Sequence, residues 1–465
     1  MRVGDSRGRV VLLTTVLGSA VAVLDSTIVN VALPTIGRDL GANLAGLQWV
    51  VSAYALTLAA LILLGGSLGD RFGRRRAYIW GVAGFGVASM LCGLSPGIQI
   101  LVAARAVQGS AAALLTPGSL AILQSSFHPA DRMRAIGAWT GALSIAVASG
   151  PLVGGWLVGY DWRWVFWVNV PLCVAVILLA ARYVPETRNP AASHTVDVPG
   201  VLLCALGLAG VTYTLIAWPG HGLGGLTIVT GVGGVLALTA FVVTERRARH
   251  PMLPTSLFAS RVFSVINMVT FAVYAALSGA VLFLVLFLQV VAGWTALRAG
   301  AAILPSSLLM LLLASRFGGA AVRIGARPLM ICGCLTAATG FVLLSRSPSD
   351  PSYALNILPG VTLQGLGLAM TVAPLTGTVL AAAPDELAGT ASGVNNAVAR
   401  TAALMAVAAL PVIVGLSGSE YADPASLAPA YRTALLVCAV AIAAGAALTM
   451  VGLPRSRETP ADATG

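Results

Sequence analysis

The second apolar run of this chain ends in GSLGDRFGRR, residues 66–75, and the tenth ends in a weaker version of that pattern, GGAAVRIGAR, residues 318–327. In both copies small residues precede arginines, as expected where a helix leaves a membrane on its cytoplasmic side. If the seventh and eighth runs are set aside, each copy lies between the second and third runs of a set of six. The pattern therefore predicts a parallel repeat of six plus six helices with a two-helix insert.

The composition places the chain in a membrane. Of its 465 residues, 58% are hydrophobic and only 9% are charged, and the mean hydropathy is +0.91. A soluble chain of this length would need far more charged surface. The formal net charge of +11 does not indicate nucleic acid as a partner, because the arginines stand in short clusters between apolar runs. In that position they set membrane topology.

Fourteen apolar runs are long enough to cross a bilayer core of about 30 Å as helices. They cover residues 10–33, 49–68, 77–94, 98–123, 135–159, 164–183, 198–218, 225–243, 262–292, 299–320, 328–345, 354–382, 392–416 and 430–452. We predict an all-α membrane protein in four parts. These are an N-terminal six-helix bundle at 1–183, a linker with the two-helix insert at 184–261, a C-terminal six-helix bundle at 262–452 and a tail at 453–465.

The distribution of arginine predicts the orientation. With the N-terminus inside, the cytoplasmic segments contain 19 arginines and the outer loops contain five. Short cytoplasmic loops carry the positive excess. Both termini are therefore predicted to be cytoplasmic, in a multi-pass protein of the inner (plasma) membrane. The first apolar run continues to Leu33, so we predict an uncleaved span rather than a signal peptide.

Neither metal chemistry nor an enzyme is indicated. The six cysteines all lie inside apolar runs and the four histidines all lie in loops, so no disulfide framework, metal site, cofactor site or histidine relay is predicted. An integral membrane enzyme is the alternative from another class, but it would need converging nucleophiles, bases or metal ligands, and the sequence shows no such cluster. A channel would need a charged ring or a carbonyl filter, and neither is visible in the sequence.

Charged residues inside the runs mark the candidate site. Asp25 lies about 12 Å and Arg105 about 10 Å below the outer ends of the first and fourth runs, at about 1.5 Å per residue. Charges within spans are costly and generally face a cavity or a partner, so a functional pair is indicated. Arg400, in the thirteenth run, could equally face the cavity or snorkel to the inner surface. Arg316 is expected to be an anchor at the membrane surface.

Glycine and proline give the fifth run two physical properties. Gly150 and Gly154 stand four residues apart, so another helix can approach that face closely. Pro151 removes a backbone hydrogen bond and kinks the helix, which could let it act as a rocking element. In the loop after the second run, Asp70 stands among four arginines, where a carboxylate contributes nothing to topology. It could pair with an arginine or face a helix N-terminus.

Taken together, these motifs resemble the major facilitator superfamily, in its fourteen-helix drug:proton antiporter branch (the EmrB/QacA type). The resemblance covers nearly the whole chain. Besides residues 66–75, it rests on four stretches, LDSTIVNVALP at 24–34, RAVQG at 105–109, GPLVGG at 150–155 and WRWVFWVNVP at 162–171. It implies the major facilitator fold and a proton-coupled antiporter that exports small hydrophobic or monocationic molecules, such as drugs or antibiotics, by alternating access.

The resemblance also implies roles for particular residues. Proton coupling falls to Asp25 and Arg105. The other assignments from the resemblance are a cytoplasmic gate of Gly66, Asp70, Arg71, Gly73, Arg74 and Asp131 and an antiporter motif of Gly150, Pro151, Gly154 and Gly155. Apart from the resemblance, intramembrane polar and charged residues form a possible cavity set, although amides in spans more often form hydrogen bonds between helices. This set is Asn30, Gln108, Gln289, Asn396 and Arg400. The tenth run contains no acidic residue, which argues against dications as substrates.

The resemblance also predicts the energy source and the partners of the protein. The proton gradient supplies the energy without a cofactor, and the partners are a small-molecule substrate, protons and the lipid bilayer, for a chain expected to be monomeric. Uptake of a nutrient by proton symport is the alternative among transporters, and GPLVGG argues against it by resemblance. Export of an endogenous metabolite fits as well as export of a drug.

Overall fold

A computed structural model describes residues 1–2, 5–188, 197–222, 224–248, 253, 255–384 and 387–454. This part of the chain forms fifteen α-helices and no strand. The helices are α1 (Ser6–Asp39), α2 (Leu44–Phe72), α3 (Arg74–Gly93), α4 (Ile98–Ser126), α5 (Pro129–Val158), α6 (Trp164–Trp167), α7 (Asn169–Tyr183), α8 (Val198–His221), α9 (Gly225–Arg247), α10 (Arg261–Leu286), α11 (Ala296–Ile324), α12 (Ala326–Ser345), α13 (Leu358–Ala381), α14 (Ala388–Ile413) and α15 (Pro424–Gly452).

Each predicted apolar run corresponds to a helical crossing. Thirteen spans in the described part of the chain are long and apolar enough to cross a membrane, and one of them is α6 and α7 taken together. The fourteenth is α3, which has 20 residues, about 30 Å at 1.5 Å per residue. Three arginines at its start make it less apolar than the others. The predicted all-α membrane fold is confirmed.

Helix contacts fall into two groups with an insert between them. In the N-terminal half, α4 packs on α2 and α3, and α1 packs on α5 and α7. In the C-terminal half, α13 packs on α11 and α12, and α15 packs on α10 and α12. The inserted helices α8 and α9 pack on each other, and α8 also contacts α2 and α14. The exact four-part division remains a prediction, and most of its tail lies outside the described residues.

The repeated loop has the same backbone turn in both halves. Gly73 separates α2 from α3 with φ at 113°, and Gly325 separates α11 from α12 with φ at 88°. Such positive φ values favour glycine because it lacks a Cβ atom. The weak sequence repeat therefore corresponds to a shared glycine turn, although most of the surrounding residues differ between the two loops.

The two halves meet on the side of the membrane opposite the chain termini, here called the far side. There the Leu44 backbone N–H donates to the Gly418 carbonyl at 2.8 Å, and the Tyr421 hydroxyl donates to the Ala42 carbonyl at 2.7 Å. Deeper in the span, the Gln48 amide donates to the Val407 carbonyl at 2.7 Å. These bonds join the N-terminal half to the C-terminal half, so the structure is closed on the far side.

Candidate functional site

A buried ion pair lies in the N-terminal half. Asp25, on α1, is fully buried, and Arg105, on α4, is 1% exposed. The Arg105 guanidinium donates from Nη1 to Asp25 Oδ2, and from Nε to the Val50 carbonyl at 3.1 Å. A charge inside a membrane span is costly unless it is paired. The two helices therefore present complementary charges to each other at one depth.

Neutral polar groups complete the shell around Asp25. Gln108 Nε2 and Asn169 Nδ2 each donate to Asp25 Oδ1 at 3.0 Å. The same two amides lie 3.3 and 3.0 Å from Ser89 Oγ, and Gln108 Oε1 accepts from Arg105 at 2.7 Å. The carboxylate thus accepts hydrogen bonds from three side chains, which come from α4 and α7. We call Asp25, Arg105, Gln108, Asn169 and Ser89 the polar cluster.

One atom of the polar cluster has an unused bonding capacity. Asn169 Oδ1 is buried and has no hydrogen-bond partner among the described residues. A protonated carboxyl group gains an O–H donor, which an ionised carboxylate lacks. An amide oxygen beside Asp25 is therefore an acceptor that only the protonated form could use, after a small rotation of either side chain.

A cavity of about 370 Å³ lies next to the polar cluster, between the two halves. Its wall includes residues of α1, α2, α5, α10, α11, α13 and α14. Tyr54 and Arg105 contribute to the wall, and the Arg105 guanidinium stacks over the Tyr54 ring at 4.3 Å from its centre. The volume suits a drug-sized ligand, since such pockets occupy about 300–1,000 Å³.

The predicted cavity residues occupy different places. Asn30 and Arg400 line the cavity, whereas Gln108 belongs to the polar cluster. Gln289 donates to the Val31 carbonyl at 2.9 Å and so joins the two halves. Asn396 has an exposed side chain that donates to the Ser392 carbonyl at 3.0 Å, away from the cavity wall. The structure therefore assembles two members of this set around the cavity.

The predicted antiporter motif on α5 has two contact faces. A Cβ atom on Gly150 would overlap Thr27 of α1, and one on Gly154 would lie 3.0 Å from the Ile28 Cα. A Cβ atom on Gly155 would lie 2.5 Å from the Leu297 Cα of α11. The Pro151 carbonyl touches Gly300, also on α11. One face thus packs on the helix that carries Asp25, and the other packs across the interface between the halves.

The predicted gate residues lie at the ends of α2, α3 and α5. Asp70 Oδ1 pairs with Arg74 Nη2 at 2.7 Å across the Gly73 turn. Gly66 faces Pro117 of α4, the Arg71 guanidinium lies 5.0 Å from the centre of the Phe72 ring, and Asp131 stands in the first turn of α5. The Asp70–Arg74 pair therefore lies wholly within the N-terminal half.

Several site residues were missed by reasoning from the sequence. Asn169 is a polar residue near the start of a span, and that position is the signal that could have identified it. Glu186, which follows the sixth crossing, lies 3.7 Å from Arg75 and 3.8 Å from Arg76. Tyr54 and Tyr274 contribute to the cavity wall. No local pattern distinguishes these tyrosines from residues that face lipid.

A polar cluster beside a cavity between two helical bundles is an arrangement typical of membrane transporters. In the described residues no group of three or more histidine, cysteine, aspartate or glutamate side chains could hold a metal ion. The chain belongs to the Major Facilitator Superfamily, whose sequence model matches residues 15–408. The resemblance predicted from the motifs is confirmed, and the chain is a transporter rather than an enzyme. Such transporters carry small molecules and generally need no cofactor.

Characterised relatives cover most of the chain. A puromycin resistance protein of Streptomyces alboniger is 37% identical over 90% of this chain and 83% of its own length. A methylenomycin A resistance protein of Bacillus subtilis is 36% identical over 90% of both chains. A cephamycin export protein of Amycolatopsis lactamdurans is 36% identical over 94% of this chain and 91% of its own.

Solved structures support the fold alone, because their sequences are distant. A bacterial homolog of the human lysosomal transporter Spinster, in an inward-facing and occupied conformation, has a TM-score of 0.69 at 15% identity, with 98% of this chain and 100% of that chain covered. A peptide transporter in complex with sulfate has a TM-score of 0.67 at 16% identity, with 93% of each chain covered.

Proposed function

We propose that this chain exports antibiotic-like small molecules across the plasma membrane in exchange for protons. The observation that carries the proposal is the Asp25–Arg105 pair, buried beside the central cavity. The relatives' names supply the direction and the broad kind of cargo, because they refer to resistance or export. The protein works as a monomer with both termini in the cytoplasm, so the closed far side is the outside of the cell.

A continuous series of contacts connects the proton site to the interface between the halves. Thr27 and Ile28 follow Asp25 on α1 and pack on Gly150 and Gly154 of α5. The neighbouring Gly155 packs on α11, in the other half. Neither the α1–α5 contact nor the α5–α11 contact leaves room for a side chain, so α5 packs directly on both neighbouring helices. A shift of α1 therefore displaces α5 against α11. Protonation of Asp25 thereby changes the balance between outward and inward opening.

The pair must separate during the cycle. A permanent pair would hold Asp25 ionised and prevent it from carrying a proton. We assign the paired arrangement, with the far side closed, to the deprotonated state of the cycle. Asp25 separates from Arg105 when it accepts a proton from outside, and Asn169 Oδ1 provides the acceptor for that proton.

One proton per cycle is energetically sufficient. A proton that crosses about 100 mV releases roughly 2.3 kcal/mol. Since about 1.4 kcal/mol corresponds to a factor of ten, this free energy sustains a concentration ratio of about fifty for a neutral substrate. The single carboxylate of the polar cluster therefore meets the energetic requirement without a second acidic residue.

The gate residues serve the opposite conformation. When the cavity opens outward, Asp70, Arg71, Arg74 and Asp131 close the cytoplasmic side. In the present conformation Asp70 pairs with Arg74 of its own half, and a Cβ atom added to Gly141 of α5 or to Gly319 of α11 would meet no other atom within 4 Å. The Asp70–Arg74 pair therefore does not link the two halves while the outer contacts are made.

Transport in proteoliposomes tests the proposal. Purified protein should move a resistance substrate such as methylenomycin A against its gradient when a pH gradient is imposed, and a protonophore should abolish that movement. Passive movement that ignores the pH gradient would indicate a channel. Movement of substrate in the same direction as the proton would indicate a symporter. Either result would overturn proton-coupled export.

A further inference from the structure

The central cavity has an unbalanced positive charge. Of the described residues that form its wall, the charged ones are Arg105 and Arg400. Arg105 is neutralised by Asp25, which is fully buried behind it and is absent from the wall. The wall therefore offers a substrate one guanidinium whose charge is not already paired, and no carboxylate.

Arg400 is placed to contact a ligand. It lies on α14, in the C-terminal half, and it has no ion pair among the described residues. Tyr54 and Tyr274, one from each half, line the same cavity as Arg400. An arginine inside a membrane span that faced lipid would be expensive. Its position at the wall is consistent with a partner that arrives from solution.

We infer that the substrates of this transporter are amphiphiles with an anionic group, such as a carboxylate, which Arg400 binds within the central cavity. The inference rests on the proposed function, because it takes this cavity as the substrate site. Guanidinium groups bind carboxylates through charge-assisted, often bidentate hydrogen bonds. Val51, Leu277 and Met310 give the rest of the wall an apolar character, which suits the uncharged body of such a molecule.

Substrate and proton then use different groups. A cationic substrate would have to compete with Arg105 for a carboxylate that the cavity does not expose, which argues against the monocationic class predicted from the resemblance. An anion bound at Arg400 leaves the polar cluster intact, so coupling passes through the helix contacts. Export of one anion with entry of one proton moves two charges in the same electrical sense, and transport should respond to membrane potential.

Binding of a matched series of dansyl probes tests the inference independently of transport. Dansylglycine carries a carboxylate, dansylamide is neutral and dansylcadaverine carries an ammonium group. We expect purified protein to bind dansylglycine most tightly. Arg400→Gln should weaken that binding about tenfold or more, as expected for loss of a charge-assisted hydrogen bond, and should change dansylamide binding less than about twofold. Arg400→Lys should retain the preference for the anion.

Other outcomes would contradict the inference. Preference for dansylcadaverine, failure of dansylglycine to bind, or equal weakening of both probes by Arg400→Gln would each overturn it. Arg346→Gln, at an exposed position outside the cavity, is the matched control and should change neither affinity. If dansylglycine binds as expected but no pH gradient drives any transport, the proposed antiport fails while the charge selectivity of the cavity stands.

Discussion

At the scale of single residues, Asp25 and Arg105 lie at a depth where neither charge could remain alone. Their similar depth could be predicted from sequence because position along a helix is proportional to residue number. The identity of the other partners could not. Asn169 reaches Asp25, and Ser89 reaches Asn169 and Gln108, only because α7 and α3 present particular faces to the cluster, and that rotation depends on packing between helices. Gln108 was predicted for the cavity set and instead occupies the polar cluster.

The ion pair predicts a characteristic pattern of stability. Arg105→Ala leaves the Asp25 carboxylate buried without its cation, which should cost about 3–5 kcal/mol of unfolding free energy. The double substitution Asp25→Asn with Arg105→Gln removes both charges and should recover most of this loss. Thermal unfolding of the detergent-solubilised proteins measures the difference. A double variant as unstable as Arg105→Ala would show that the charge pairing is not what stabilises the cluster.

At the scale of helices, the apolar runs predict where spans exist but underestimate their length. α1 extends from Ser6 to Asp39, well beyond the run at 10–33, because a helix continues into the interfacial region after the apolar residues end. The break between α6 and α7 and the π-helix at Phe287–Val291 could not be predicted either. Such local changes of helix geometry depend on tertiary contacts and carry no signal in hydropathy.

Glycines on α5 provide a matched pair of conformational tests. Gly155 packs against Leu297 on the far side, whereas a Cβ atom on Gly141, near the middle of α5, would meet no other atom within 4 Å. Gly155→Leu should prevent closure of the far side and favour outward opening. Gly141→Leu should be tolerated in the present conformation and hinder closure of the cytoplasmic side. Distances between spin labels on the two halves would report both shifts.

These two substitutions also control for each other. Both substitutions add the same side chain to the same helix. A general effect of leucine on folding would therefore change the spin-label distances of both variants in the same way. Opposite shifts in the distance distributions are expected. If both variants favoured the same opening, the assignment of the two α5 segments to alternate closures would be contradicted.

At the scale of the whole molecule, the cavity lies between two bundles that are joined on one side of the membrane. The number of crossings and the arginine distribution predict that both termini are in the cytoplasm. Reporter fusions at Gly465 and at the linker near Asp197 should therefore both be cytoplasmic. An alkaline phosphatase that was active at either position would contradict the count of fourteen crossings.

The most direct test of proton coupling through Asp25 compares two transport modes of one variant. Asp25→Asn should lose pH-driven net export but retain exchange of labelled for unlabelled substrate across proteoliposomes, because exchange requires no proton release. Asp350→Asn, at an exposed loop position, is the matched control and should perform both. Retained exchange with abolished net export is the predicted result. Undiminished pH-driven export by Asp25→Asn would contradict the central claim.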